Sequence, residues 1–125
     1  MPLPPTTIAA ALDADALARL RELDPESRSG LLVRVVNAYL ASLDRLVPEL
    51  DQARGANADA EVIRHVAHTL KSSSASVGAL QVSRRCAEIE TLARERQLER
   101  IEPLIDQLLD ELAQARLALT NLLGA

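Results

Sequence analysis

The spacing of the apolar side chains narrows the possible folds of this chain more than any other feature. From Leu31 to Leu122 they recur every three or four residues, in four separate runs. That is the period of an α-helix burying one stripe; a half-buried strand alternates every second residue. Leu31, Leu32, Val35, Val36, Tyr39, Leu40, Leu43, Leu46, Val47 and Leu50 predict a long core helix continuing to about Arg54. Ile63, Val66, Ala67, Leu70, Ser73 or Ser74, and Val77 predict a second helix, ending at a bend around Gly78. Leu80, Val82, Cys86, Ile89, Leu92 and Ala93 predict a third, over about Ala79 to Arg96. The fourth carries Ile101, Leu104, Ile105, Leu108, Leu109, Leu112, Leu117, Leu119 and Leu122 and ends near Gly124. Ala and Leu dominate and Tyr39 is the sole aromatic, which favours helix over sheet.

Breakers and caps fall between these runs. Residues 1–10, with three prolines, predict a disordered or extended lead, and residues 11–125 a single domain, long enough to bury its own core. Asp13 or Asp15 can cap a short helix whose face is Leu12, Ala16, Leu17, Leu20 and Leu23. Asp24-Pro25-Glu26-Ser27 breaks it, and Ser27 or Ser29 is available as the next cap. Asn57 or Asp59 can cap the helix after the Gly55 turn. Pro48 should kink or loosen the end of the first long helix, and Pro103 is tolerable only in the first turn of the last. The expected fold is all-α: an antiparallel up-down four-helix bundle with a short extra N-terminal helix across one end.

Several function classes are disfavoured. A net charge of −4 and a pI near 5.2 argue against a nucleic-acid footprint. No apolar run is long enough to span a membrane, and the first five residues lack the basic start and apolar core of a secretion signal, so a cytoplasmic address is expected. The single Cys86 cannot form an internal disulfide and reads as a small buried hydrophobe. The four glycines lie far apart and build no phosphate-cradling loop, so no nucleotide site is expected.

His68 stands off the apolar stripe of its helix. Its helical neighbours are Arg64, Lys71, Ser72 and Ala75, which place the imidazole at the surface beside a cation. Neutral imidazole, with an unperturbed pKa of about 6.5, is a nucleophile near neutral pH. A phosphoryl group on it would carry about two negative charges, which a nearby cation stabilises. Lys71 is the only Lys among fourteen basic residues; it is either a point charge chosen for that task or the one Lys the chain happens to have. His65 and Glu61 lie on a neighbouring surface, but no further His completes a site, and no metal is expected.

The segment His68-Thr69-Leu70-Lys71-Ser72-Ser73-Ser74-Ala75-Ser76-Val77-Gly78-Ala79 resembles the signature of histidine-containing phosphotransfer (HPt) domains, roughly His-x-Leu-Lys-Gly-Ser-Ser-Ala-x-x-Gly-Ala. Ser72 departs from it, standing where the family usually has Gly, and its hydroxyl can donate to a phosphoryl group. The resemblance implies a phosphoryl carrier in a multistep phosphorelay, not an enzyme with its own ATP site. His68 would accept the group from a receiver-domain aspartate and pass it to another receiver. It implies Lys71 as the charge-stabilising cation and a docking face of Arg64, His65, Ser72, Ala75 and Ser76. No cofactor is expected on this chain, with Mg²⁺ on the partner receiver, and the carrier is expected to be a monomer. Glu90 occupies the position where the family commonly places a Glu or Gln bonded to the active His. Counting outward from Gly78, an antiparallel hairpin brings residues 68 and 90 nearly level, although an ordinary solvated charge fits the same count. One alternative is a bundle that has lost relay and serves as a receiver-binding adaptor. Another is a kinase dimerisation helix pair, whose His-Glu-Leu-Arg-Thr-Pro pattern this chain lacks.

Overall fold

The computed structural model describes residues 12–22 and 30–124. The expected lead over 1–10, together with Leu23, Ser27 and Ser29, lies outside them. Among the described residues five helices follow in order: α1 Ala14–Glu22, α2 Leu31–Ala53, α3 Ala60–Ser76, α4 Leu80–Arg94 and α5 Leu98–Gly124. No strand occurs among the described residues.

Cross-helix bonds give the direction of each pair. Arg54 binds Glu102 and Asp106 while Asp44 binds Arg116, so α2 and α5 run antiparallel. Along α3 and α4, Glu61 faces Arg96 and His68 faces Glu90, again antiparallel. The result is the up-down four-helix bundle that the apolar periodicity predicts. Short α1 crosses the α3–α4 end: Asp13 N–H donates to the Gly78 carbonyl at 2.7 Å. Asp13, rather than Asp15, caps α1 by accepting from Ala16 N–H at 2.8 Å.

The core is the merged stripe of α2 to α5, with Leu43, Leu50, Ile63, Leu70, Ile89, Ile105, Leu108 and Leu119 fully buried. Each such side chain contributes about 1.5–3 kcal/mol on burial. Ser74, not Ser73, occupies the buried position of α3; its hydroxyl pairs with Tyr39 Oη at 2.8 Å, so neither polar group is stranded. Burial pushes the Tyr39 hydroxyl up to about 12 and does the same to the enclosed Cys86 thiol, which is packing and not reagent.

Two expectations are corrected. Leu117 is 43% exposed, and the inward position there belongs to Ala115. The buried row Ile101, Ile105, Leu108, Leu112, Ala115 and Leu119 keeps strict three- and four-residue steps, and Leu117 lies about 200° around from Ala115. Pro103 is the sixth residue of α5 and so lies beyond its first turn. The helix starts ahead of the apolar run because Arg100 N–H bonds the Gln97 carbonyl at 3.1 Å. Buried Ile101 and Ile105 flank the proline and hold the chain helical through it. α2 likewise continues through Pro48 to Ala53, and it starts after Gly30, which caps it without a side-chain bond.

Helices α3 and α4 end in the same backbone motif. After α3, Ala79 N–H returns to the Ser74 carbonyl and Gly78 N–H to Ala75. After α4, Gln97 N–H returns to Leu92 and Arg96 N–H to Ala93. Both motifs need a left-handed residue at the same place. Gly78 supplies it at φ 82°, but at the second turn the residue is Arg96, at φ 58°. A non-glycine residue there costs about 1–2 kcal/mol.

Candidate functional site

Asp59 starts α3 by accepting from the N–H groups of Glu61 and Val62, which sets the rotation of the whole helix. With Ile63, Val66, Ala67, Leu70 and Ser74 turned inward, the opposite strip is forced out: Glu61, His65, His68, Ser72, Ala75 and Ser76 are all exposed. Three of the residues expected to form the docking face flank His68 on its C-terminal side, one small alanine and two serines. His65 lies one turn before it. Arg64 is half-buried and turned back to Glu61 at 3.1 Å.

The His68 ring is 60% exposed, yet one of its nitrogens is held. Nδ1 lies 2.7 Å from Oε2 of Glu90, across the α3–α4 interface. An ionised carboxylate can only accept, so this bond puts the proton on Nδ1 and leaves Nε2 with the lone pair. Glu90 is a buried charged side chain, 4% exposed, and not a solvated one. Its other oxygen accepts from Lys71 Nζ at 2.6 Å, and Arg94 Nη2 stands 3.6 Å from Oε2. The Lys71 ammonium first, then the bond from His68, hold the Glu90 carboxyl below its ordinary value against the opposing effect of burial. A carboxylate so enclosed is tolerable because it is paired.

Lys71 is therefore tied to Glu90 across the helix pair, not directed freely at solvent. Its own backbone carbonyl accepts from Ser83 Oγ at 2.7 Å, a second fastening between α3 and α4. Arg94 and Ser83 were not apparent as site residues from sequence. Arg94 had a readable signal, since it follows Glu90 by one helical turn on an exposed face. Ser83 had none, because a side chain reaching a carbonyl on another helix leaves no periodic trace.

An exposed imidazole with one nitrogen anchored, on the third helix of a four-helix bundle, can be compared with known proteins. The family model described as Hpt domain matches residues 34–118, the greater part of the chain and all of this site. The chain belongs to the Hpt domain family. Among solved structures it is similar to histidine-containing phosphotransfer protein B (HptB) from Pseudomonas aeruginosa PAO1. That match has 32% identity and a TM-score of 0.69, covering 90% of this chain and 94% of that one. ZmHP2, the histidine-containing phosphotransfer protein of maize, shares the fold at 23% identity, with a TM-score of 0.82 over 95% of this chain and 88% of that one. MtHPt2 from Medicago truncatula does so at 24% identity and a TM-score of 0.79, covering 95% and 84%. No curated protein matches the chain.

An Hpt domain takes part in histidine phosphotransfer within phosphorelay signalling, as a phosphoryl carrier that meets receiver domains. No helix among the described residues is long and apolar enough to cross a membrane.

Proposed function

We propose that this Hpt domain relays a phosphoryl group between two receiver domains through His68 Nε2. The observation that carries the reading is the half-open imidazole: Nδ1 is anchored to buried Glu90 at 2.7 Å while the ring is 60% exposed. In the loading step the Nε2 lone pair attacks phosphorus in line. The bond from phosphorus to the aspartyl oxygen breaks, and its electron pair leaves as the receiver's carboxylate. Unloading reverses the sequence on a second receiver. Glu90 fixes the ring's tautomer and direction, which removes a rotational freedom that the encounter would otherwise have to freeze. Lys71, three residues on, stabilises the charge of the transferred group, and Glu90 holds that ammonium at the level of the ring. Mg²⁺ belongs to the partner's acidic pocket, and this chain needs no cofactor. Exposed Ser72, Ala75 and Ser76 leave low relief where that pocket must approach, and Arg64 and His65 border it on the other side. The same reading makes the protein a cytoplasmic monomer whose interface with each receiver is transient.

The test is uptake of labelled phosphate from a phosphorylated receiver domain. The wild-type chain should acquire acid-labile, base-stable label, and His68→Gln should lose it by at least about a hundredfold. Uptake by His68→Gln at the wild-type rate would refute the assignment. Receiver binding without any uptake by the wild-type chain would leave an adaptor in place of a carrier.

A further inference from the structure

Arg96 occupies a backbone position that favours glycine. At φ 58° it is the only positive-φ residue other than glycine among the described residues, at the end of α4 where the equivalent residue of α3 is Gly78. Among the described residues its side chain makes no bond that would account for this. The contact with Glu61 Oε1 is 3.9 Å long, and both partners are largely exposed, at 71% and 64%. Such a pair adds almost nothing to a fold. A left-handed residue that is not glycine, and that no side-chain contact accounts for, motivates a functional reading.

Its neighbours are also cationic. Arg96 and Arg64 converge on Glu61, while Lys71 and Arg94 converge on Glu90. With exposed Glu95 counted beside Arg96, that makes four cations against three carboxylates along the exposed side of α3 and α4, with His65 and His68 between them. This local excess of positive charge sits on a chain whose net charge is −4. Glu95, the anion beside Arg96 in sequence, is engaged by Gln97 Nε2 at 3.4 Å. Glu61 and His68 are seven residues apart, about 10 Å along α3. An interface of standard size, about 800 Å² on each side, centred on His68 would reach it.

We propose that Arg96, with Arg64, extends the His68 face into a basic docking rim that engages acidic side chains bordering the partner's phosphorylation pocket. This deepens the relay reading and rests on it. Arg96 does not touch the reacting atoms. It is a positioning residue that raises the rate at which the acidic partner arrives in register. A shallow depression beside it is lined by Arg96, Gln97, Leu98, Glu99 and Arg100, two cations against one anion.

The experiment measures the second-order rate of phosphoryl transfer to His68 from whichever phosphorylated receiver domain loads the wild-type chain fastest. Salt is varied, and melting temperature is recorded in parallel. Arg96→Gly relieves the left-handed backbone, so it should melt at or above the wild-type temperature while transferring roughly three- to tenfold more slowly at low salt. Arg96→Glu should be slower still. Both deficits should shrink towards nothing near about 1 M salt, where charges are screened within about 3 Å. Arg116→Gln, which changes charge on the α2–α5 side, should keep the wild-type rate. The inference is overturned if Arg96→Gly transfers at the wild-type rate in low salt, if its deficit persists in high salt, or if Arg116→Gln is equally slow. It is also overturned if Arg96→Gly melts well below wild type, which would make the residue structural. Loading of His68 in the wild type alongside any of these results leaves the relay reading standing; a wild-type chain that takes no label removes both.

Discussion

The α3–α4 hairpin has a sealed end and an open end built on the same backbone motif. At the sealed end Gly78 is buried beneath α1, and a Cβ added there would meet Asp13 O at 3.2 Å and Ala16 Cβ at 3.4 Å. At the open end Arg96 takes the same left-handed turn with its side chain in solvent. Where a neighbouring helix closes over the turn, backbone angle and contact both demand glycine, and packing alone determines the residue. Where no described residue closes over it, the angle still favours glycine but contact no longer forbids a side chain, so identity becomes available for function. His68 and Glu90 lie between the two ends, close enough to the core for Glu90 to be buried and far enough from α1 for His68 to stay open.

The contrast can be broken most forcefully at the sealed end. Gly78→Ala should destabilise the bundle by about 2–3 kcal/mol, combining the left-handed penalty with displacement of α1. Denaturant unfolding would measure it, and a loss under about 0.5 kcal/mol would mean that α1 does not seal this end. Between the ends, Glu90→Gln should cost about 1–2 kcal/mol at pH 7 by weakening charge-assisted bonds to Lys71 and His68. The folded Glu90 carboxyl binds its proton less readily than the unfolded one. Its contribution is therefore complete above the ordinary value of 4.5 and is lost as pH falls through the lower folded value. The wild-type and Glu90→Gln stability curves should accordingly converge below about pH 4. Parallel curves down to pH 2 would show that the carboxylate is not held by its cations. At the open end Arg96→Gly should be the mildest change, a gain of about 0.5 kcal/mol, because relief of the turn outweighs the extra freedom of an unfolded glycine. A net loss there would make the two ends alike.

Much of this was readable before any coordinates. The three- and four-residue apolar steps named every long helix, and Gly78 and Asp59 marked where α3 stops and starts. His68 was legible as an exposed ring because each of its helical neighbours is polar or small. Leu117 misled, since residue type called it core while position did not: the row through Leu112 and Leu119 passes through Ala115. Pro103 misled because the helix begins at Leu98, ahead of the apolar run that starts at Ile101, with only polar Glu99 and Arg100 between them. Glu90 was ambiguous. Counting residues from the bend set its height on α4, but whether a carboxylate at that height points into the seam or out to water depends on the rotation of two helices together.

The sequence by itself determined a helical bundle and one imidazole turned away from its core, because both follow from period and side-chain type along a single helix. Tertiary structure alone decided that a buried carboxylate joins that imidazole to Lys71, and that Ser83 fastens α4 to the Lys71 carbonyl. Those are relations between helices, set by how closely two surfaces pack and which groups are thereby removed from water. No local pattern along one strand of sequence contains that distance.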